Sequence, residues 1–455
     1  MIVAYFKKNN HKLAALIVTG EAVIGQVLRL ASNLLLTRLL VPEMFGVMMI
    51  AMLFLTGITM LSDLGLKEKF IQSERAYKKD FLDTCWSLQV IRGIIIFTVV
   101  LIISYFLHLL SVQGYIVEGS AYSAPELPVV VAVIGITAVL NGFNSIGLYD
   151  HYRNVRMYIL AKIGLISNFT GTIVMVIVAY YYREFWVLLI SPLLSATLQL
   201  YLSYLYSNDI KANFRLKKRD LKDIVNFSKW IFIGSCLSYF SMNADRIILG
   251  GYLSTGELGI FSIAFMLVLA AKEMFFKVIK NVAYPKLTRV VRNNPDHLKG
   301  AMYSLRLKID VLTFSIAGFL FGAGSIIISI LYDSRYSDAG WMLEILAISI
   351  VFSGLNVNQQ ALLALSKTFL FALVHTCGAI YAFVAIPAIY LLIGVEGVMY
   401  VMALKAISTI PVLFYLQIRY GVFDLIKEFR AFPLFILFYL IGIYAKTIFY
   451  SYWVY

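Results

Sequence analysis

The chain has 455 residues, 61% of them hydrophobic and 14% charged, with a mean hydropathy of +0.83. Soluble domains run nearer half apolar and a quarter charged, so a water-soluble globular fold is excluded. The net charge of +14 is spread over many short connections instead of clustering on one face, which argues against a nucleic-acid partner.

About 20 apolar residues cross the hydrocarbon core as a helix. On that measure the chain divides into thirteen expected spans, at 13–36, 44–66, 84–110, 127–148, 157–180, 185–206, 228–252, 259–283, 307–331, 341–363, 368–393, 397–417 and 433–453. Ahead of them, Met1–Lys12 sets Tyr5 and Phe6 against Lys7, Lys8 and Lys12, as an interfacial helix would. No cleavable signal peptide is visible. Cys85, Cys236 and Cys377 fall in separate spans and read as small buried hydrophobes, not as a disulfide set or a metal site.

The connections alternate in charge. Lys67–Asp83, Asn208–Phe227 and Lys286–Arg306 are long and basic, whereas those on the opposite side hold only Arg38, Arg183 and Arg335 among Lys and Arg. An excess of Lys and Arg marks the cytoplasmic side, so the N-terminus is expected in the cytoplasm and the C-terminus outside. No connection is large enough for a folded domain.

The expected organisation is a six-helix lobe over 1–207, a basic linker over 208–227, a second six-helix lobe over 228–417, and a connection plus an additional helix over 418–455. An internal repeat supports the division: Phe45-Gly46-Val47-Met48-Met49-Ile50-Ala51 and Leu258-Gly259-Ile260-Phe261-Ser262-Ile263-Ala264 share Gly, a β-branched residue, Ile and Ala in register, each just after an acidic residue. An even number of spans per half gives both halves the same orientation, so their pseudo-two-fold axis would lie along the membrane normal.

Ionisable residues inside spans carry the functional reading. A charge near the bilayer centre costs about 3 kcal/mol on insertion scales and normally faces protein or a water-filled cavity. Glu21, Gly25, Arg29 and Ser32 form one polar stripe on the first span, and Ser235, Ser238, Tyr239, Asp245 and Arg246 form another on the seventh. Arg92, Lys272, Glu273 and Lys405 add to these. Five cations (Arg29, Arg92, Arg246, Lys272, Lys405) thus face three anions (Glu21, Asp245, Glu273), an excess suited to an anionic ligand such as phosphate. Structural alternatives stand beside this: Arg29 pairing with Glu21, Asp245 and Arg246 pairing between helices, Glu273 pairing with Lys277, Arg92 reaching to the interface, and His375 as a packed histidine. Asn356, Asn358, Gln359 and Gln360 would either line a cleft or join helices.

The stretch Arg38-Leu39-Leu40-Val41-Pro42-Glu43-Met44-Phe45-Gly46 resembles the turn motif of bacterial polysaccharide flippases. Asn243-Ala244-Asp245-Arg246-Ile247-Ile248-Leu249-Gly250, the following Gly256–Ala264 stretch and Tyr284-Pro285-Lys286-Leu287 are similar to that family's second-half signatures. The resemblance, within the multidrug/oligosaccharidyl-lipid/polysaccharide exporter superfamily, implies an all-α transporter of two six-helix lobes that moves polyprenyl-(pyro)phosphate-linked oligosaccharide across the bacterial cytoplasmic membrane by alternating access. It implies no catalytic residues. Its implied partners are membrane lipids and the glycosyltransferases and polymerase of one surface-polysaccharide pathway, for O-antigen, capsule or exopolysaccharide. The Pro433–Tyr455 stretch departs from a twelve-span pattern.

On this reading Arg29, Arg92, Arg246, Lys272 and Lys405 bind substrate, and Glu21, Asp245 or Glu273 couples transport to proton or Na⁺ movement without a bound cofactor or metal. No G-x-x-x-x-G-K-[ST] loop points to ATP. The competing readings are a multidrug exporter of the same superfamily, which would favour buried acids, and a membrane glycan polymerase or acyltransferase, which would need a large outward loop or a His/Asp cluster near a surface.

Overall fold

The computed structural model describes residues 20, 24–154, 156–207, 210–365 and 368–453. Glu21 and the Met1–Lys12 segment lie outside them. All regular structure among the described residues is helical, with no strand. This follows from the solvent: in hydrocarbon each backbone N–H and C=O must find its partner inside the protein, and helices do so locally.

The chain divides into two compact units, one formed by Met1–Tyr239 with Gly250–Gly256, the other by Phe240–Leu249 with Glu257–Tyr455. The first contains α1 (24–39), α2 (Pro42–Leu61), α3 (Leu66–Gln72), α4 (Lys79–Val112), α5 (Leu127–Gly142), α6 (Gly147–Arg153), α7 (Met157–Tyr181), α8 (Val187–Leu205) and most of α9 (Lys218–Tyr252). Pro42 opens α2 at a position whose N–H would be unbonded anyway, with Glu43 favourably placed in the first turn. Gly46 belongs to the repeated motif for a steric reason: a Cβ there would lie 2.0 Å from the Thr255 carbonyl oxygen. Within the unit α4 packs along α5, α7 along α8, and α5 also touches α2 and α8. The α4–α5 approach is equally close, since a Cβ on Gly93 would sit 2.7 Å from the Ala138 carbonyl oxygen.

Only part of 208–227 is non-helical. Residues 210–217 lie on the first turns of α4, where the Asn213, Arg215 and Lys217 N–H groups donate to Asp83 Oδ1 (2.8 Å), Ser87 Oγ (2.8 Å) and Thr84 Oγ1 (3.1 Å). From Lys218 the chain is already α9, tied to the α3–α4 connection by Arg75, which bridges Asp220 (2.8 Å) and Asp223 (2.5 Å).

The second unit contains the Phe240–Leu249 stretch of α9, α10 (Thr255–Val278) from Glu257 onward, α11 (Tyr284–Asn293), α12 (Leu298–Leu331), α13 (Ala339–Val351), α14 (Leu355–Ala364), α15 (Thr368–Ile393), α16 (Val395–Ala403), α17 (Ile410–Arg419), α18 (Leu425–Phe429) and α19 (Phe432–Trp453). A five-residue π turn, Ile279–Ala283, joins α10 to α11 just ahead of Pro285, which cannot donate to the ladder. Helix α12 is the organiser, flanked by α13 and α19.

Nine helical stretches among the described residues are long and apolar enough to cross a membrane, and α5 with α6, bent by 67°, would make a tenth. Three of the thirteen stretches drawn from sequence do not qualify on the same measure. Over 13–36 the helix is described only from residue 24, the 228–252 stretch carries Lys229, Asp245 and Arg246, and 397–417 is broken by a 3₁₀ segment at Lys405–Ser408. This is a multi-pass membrane protein.

Candidate functional site

Each unit places a sequence-predicted cation beside a break in a helix. In the first, α5 ends at Gly142 and α6 begins at Gly147, which strips carbonyls of their helical partners. Gln89 on α4 compensates by donating through Nε2 to the Gly142 (3.0 Å) and Asn144 (2.9 Å) carbonyls. Ser203 Oγ accepts the Ser145 N–H at 2.9 Å. One turn along from Gln89, Arg92 turns to the last turn of α2. There it donates to the Thr59 carbonyl (2.7 Å) and Ser62 Oγ (3.3 Å), with Asp63 at 3.9 Å. A cation there meets the negative end of the helix dipole. Arg92 and Gln89 line a cavity of about 490 Å³ with Lys67, Asn141, Tyr149 and Gln199. Its wall is rich in hydrogen-bonding groups, and such a cavity inside a membrane span can hold a hydrated ligand.

In the second unit the break between α16 and α17 carries Lys405 at its start. Ser408 Oγ and Thr409 Oγ1 donate to the Lys405 and Ala406 carbonyls, both at 2.8 Å, and so close the frayed end. Lys405 Nζ donates to the Ser241 carbonyl of α9 at 2.6 Å. Lys272 of α10 lies within electrostatic reach of both Asp245 and Lys405. Its ammonium has one long hydrogen bond, to Ser349 Oγ at 3.4 Å, and that hydroxyl spends its proton on the Leu346 carbonyl at 2.7 Å. Asp245 is buried and accepts the Arg246 N–H at 3.0 Å. Arg246 lies 5.0 Å from the centre of the Phe265 ring, a cation–π distance, and donates to the Met242 carbonyl at 3.2 Å.

The second unit therefore brings Asp245, Lys272 and Lys405 together, with Arg246 next in sequence to Asp245. Arg92 stands apart in the first unit. Arg29 is exposed on α1 and makes no ion pair among the described residues; Glu21, its expected partner, lies outside them. Glu273 is partly buried and pairs neither with Lys277 nor with another described cation. The side chain of His375 also lies outside the description.

A buried network escaped the sequence reading. Arg306 and Asp310, one turn apart on α12 (3.1 Å), meet Glu428 of α18, which takes hydrogen bonds from Arg306, Tyr303 (2.7 Å) and Asn358 (3.2 Å). Asn358 thus joins helices. Arg306, Asp310 and Glu428 are 5% exposed or less. Nearby, the Asp424 carboxyl is held below the usual carboxylate range by its hydrogen bond with the Lys427 side chain. The i,i+4 spacing of Arg306 and Asp310 was the available signal; Glu428 lies too far along the chain for spacing to reveal it.

Residues 35–340 match a family model described as polysaccharide biosynthesis protein. Two curated relatives are the teichuronic acid biosynthesis protein TuaB of Bacillus subtilis, 21% identical over 66% of this chain and 60% of that protein, and the lipopolysaccharide biosynthesis protein WzxC of Escherichia coli, 19% identical over 72% of this chain and 63% of that protein. The chain spans about three-fifths of the length of these relatives. Among solved structures, the lipid II flippase MurJ in an inward closed conformation aligns with a TM-score of 0.66 at 16% identity, covering 96% of this chain and all of that one. At that identity the likeness shows a shared fold.

Proposed function

This chain belongs to the polysaccharide biosynthesis protein family, and from that premise we propose that it is a flippase for polyprenyl-(pyro)phosphate-linked oligosaccharide in the bacterial cytoplasmic membrane, with its N-terminus in the cytoplasm. The observation that carries the proposal is the group in the second unit, where Lys272 lies within electrostatic reach of both Lys405 and the buried Asp245 carboxylate, beside a broken helix. A surplus of positive charge in a low-dielectric site is costly until an anion neutralises it, and a diphosphate supplies that anion. The cations replace the hydration that the headgroup loses, while the polyprenyl tail stays in lipid.

Alternating exposure of this cationic site to the two sides of the membrane completes the cycle. Asp245 and Glu273 are the carboxylates available to couple it to proton or Na⁺ movement. Surplus cations disfavour the drug-exporter reading, whose mostly cationic substrates call for acids. The upstream glycosyltransferases and a downstream polymerase meet the flippase through the shared carrier lipid.

The test is translocation of a fluorescent polyprenyl-pyrophosphate-linked sugar in proteoliposomes, read by quenching from outside. Wild-type protein moves the label, and Lys272→Met, Lys405→Met and Arg246→Ala slow it at least tenfold with unchanged thermal unfolding. Wild-type rates in all three variants reject the cationic site.

A further inference from the structure

The second unit holds another cavity, of about 590 Å³, walled by α12, α13, α16 and α19 at Trp341, Glu344, Glu396, Tyr400, Tyr439 and Lys446. That lies in the range of roughly 300–1,000 Å³ typical of small-molecule sites. Helix α19, the helix beyond a twelve-span plan, is pressed onto α12 through glycines. A Cβ on Gly318 would lie 2.3 Å from the Phe435 carbonyl oxygen, one on Gly322 2.6 Å from that of Tyr439, and one on Gly442 2.8 Å from that of Phe319. Small residues at this spacing let membrane helices meet backbone to backbone.

Lys446 is the sole charged residue of α19. Ionisable groups on a membrane helix are expensive and mark functional positions by default. Lys446 is met by Glu344 of α13, its Nζ 3.0 Å from Oε1, an oxygen that also accepts the Ser325 N–H at 3.0 Å. Glu344 Oε2 takes no hydrogen bond among the described residues, and Glu396 and Tyr400 are exposed. The groove thus presents two carboxylates, one ammonium already paired, and four large aromatic side chains, with Phe321 added to Trp341, Tyr400 and Tyr439. Its net negative charge repels a phosphate. A neutral ligand rich in hydroxyls satisfies both signs: hydroxyl protons go to the carboxylates, hydroxyl oxygens accept from Lys446, and aromatic surface covers the ring's C–H face.

We infer that this groove binds sugar rings, as a glycan site separate from the cationic group at Lys272 and Lys405. The inference rests on the proposed flippase reading for the source of the glycan, while the groove itself stands on its own residues.

The test uses the full chain in lipid nanodiscs and saturation-transfer NMR with the methyl glycosides of glucose, galactose, N-acetylglucosamine and glucuronic acid. At least one is expected to bind, with affinity at least tenfold weaker in both Trp341→Leu and Glu396→Gln, and phosphocholine is expected not to displace it. No binding of any of the four, binding unchanged in both variants, or displacement by phosphocholine overturns the inference. The same preparations assayed for flipping separate the two readings: flipping without glycoside binding defeats only the groove, and groove binding without flipping defeats only the flippase.

Discussion

Two groups of ionised side chains lie within the second unit. Around Arg306, the guanidinium meets Asp310 and Glu428, and Tyr303 and Asn358 complete the hydrogen bonding of Glu428. Around Lys272, the buried Asp245 carboxylate and the Lys405 ammonium act on it across space, and the bonds the two lysines make are to a serine hydroxyl and a backbone carbonyl. Charge within a helix therefore says little about role. Burial and pairing say more: the Arg306 network is buried, ion-paired and ties α18 to α12, whereas the lysines of the Lys272 group are partly exposed and form no ion pair among the described residues.

The sharpest way to break this contrast is Arg306→Ala. Removing one partner of a buried pair costs about 3–5 kcal/mol, so little folded protein should survive detergent extraction and size-exclusion chromatography. A wild-type yield would dissolve the distinction. Gly354→Ala probes the same network more gently. Its Cβ would lie 1.8 Å from Asp310 Oδ1, an overpacking expected to cost about 1–3 kcal/mol and to lower the thermal midpoint without touching the Lys272 group.

Lys272→Met and Lys405→Met should do the reverse, leaving the midpoint in place while translocation falls at least tenfold, equivalent to about 1.4 kcal/mol of barrier. A fall in midpoint matching that of Arg306→Ala would make the lysines structural too. The smallest effect is expected at the surface. Arg335 pairs with Asp333 two residues away at 2.5 Å with both side chains about a third exposed, and Arg335→Ala should shift stability by about 0.2–1 kcal/mol in denaturant titration.

Much of the fold was legible in the residues. Apolar runs of span length and the Pro42-Glu43 helix start act through local chemistry, and the motif around Gly46 carried the family resemblance although the steric reason for its glycine, the Thr255 carbonyl, comes from far along the chain. Of the site, Asp245, Lys272 and Lys405 were legible as charges in apolar helices, because such residues stand out in any window. Their convergence was not, since they come from α9, α10 and the break after α16. Gln89 carries no signal of its own in the sequence; only the break at Gly142–Gly147 explains it, as the donor that satisfies freed carbonyls. Glu428 fell in what read as a connection, and its burial depends on α12 and α14 arriving from elsewhere.

By itself the sequence determined that the chain is helical and crosses a membrane many times, because hydrocarbon demands long apolar stretches whose backbones bond to themselves. Tertiary structure decided which charges are neutralised, which helices break, and where α19 encloses a groove with Glu344 and Lys446. Those outcomes depend on distances between groups far apart along the chain, and electrostatic and hydrogen-bond energies act across space, not along sequence.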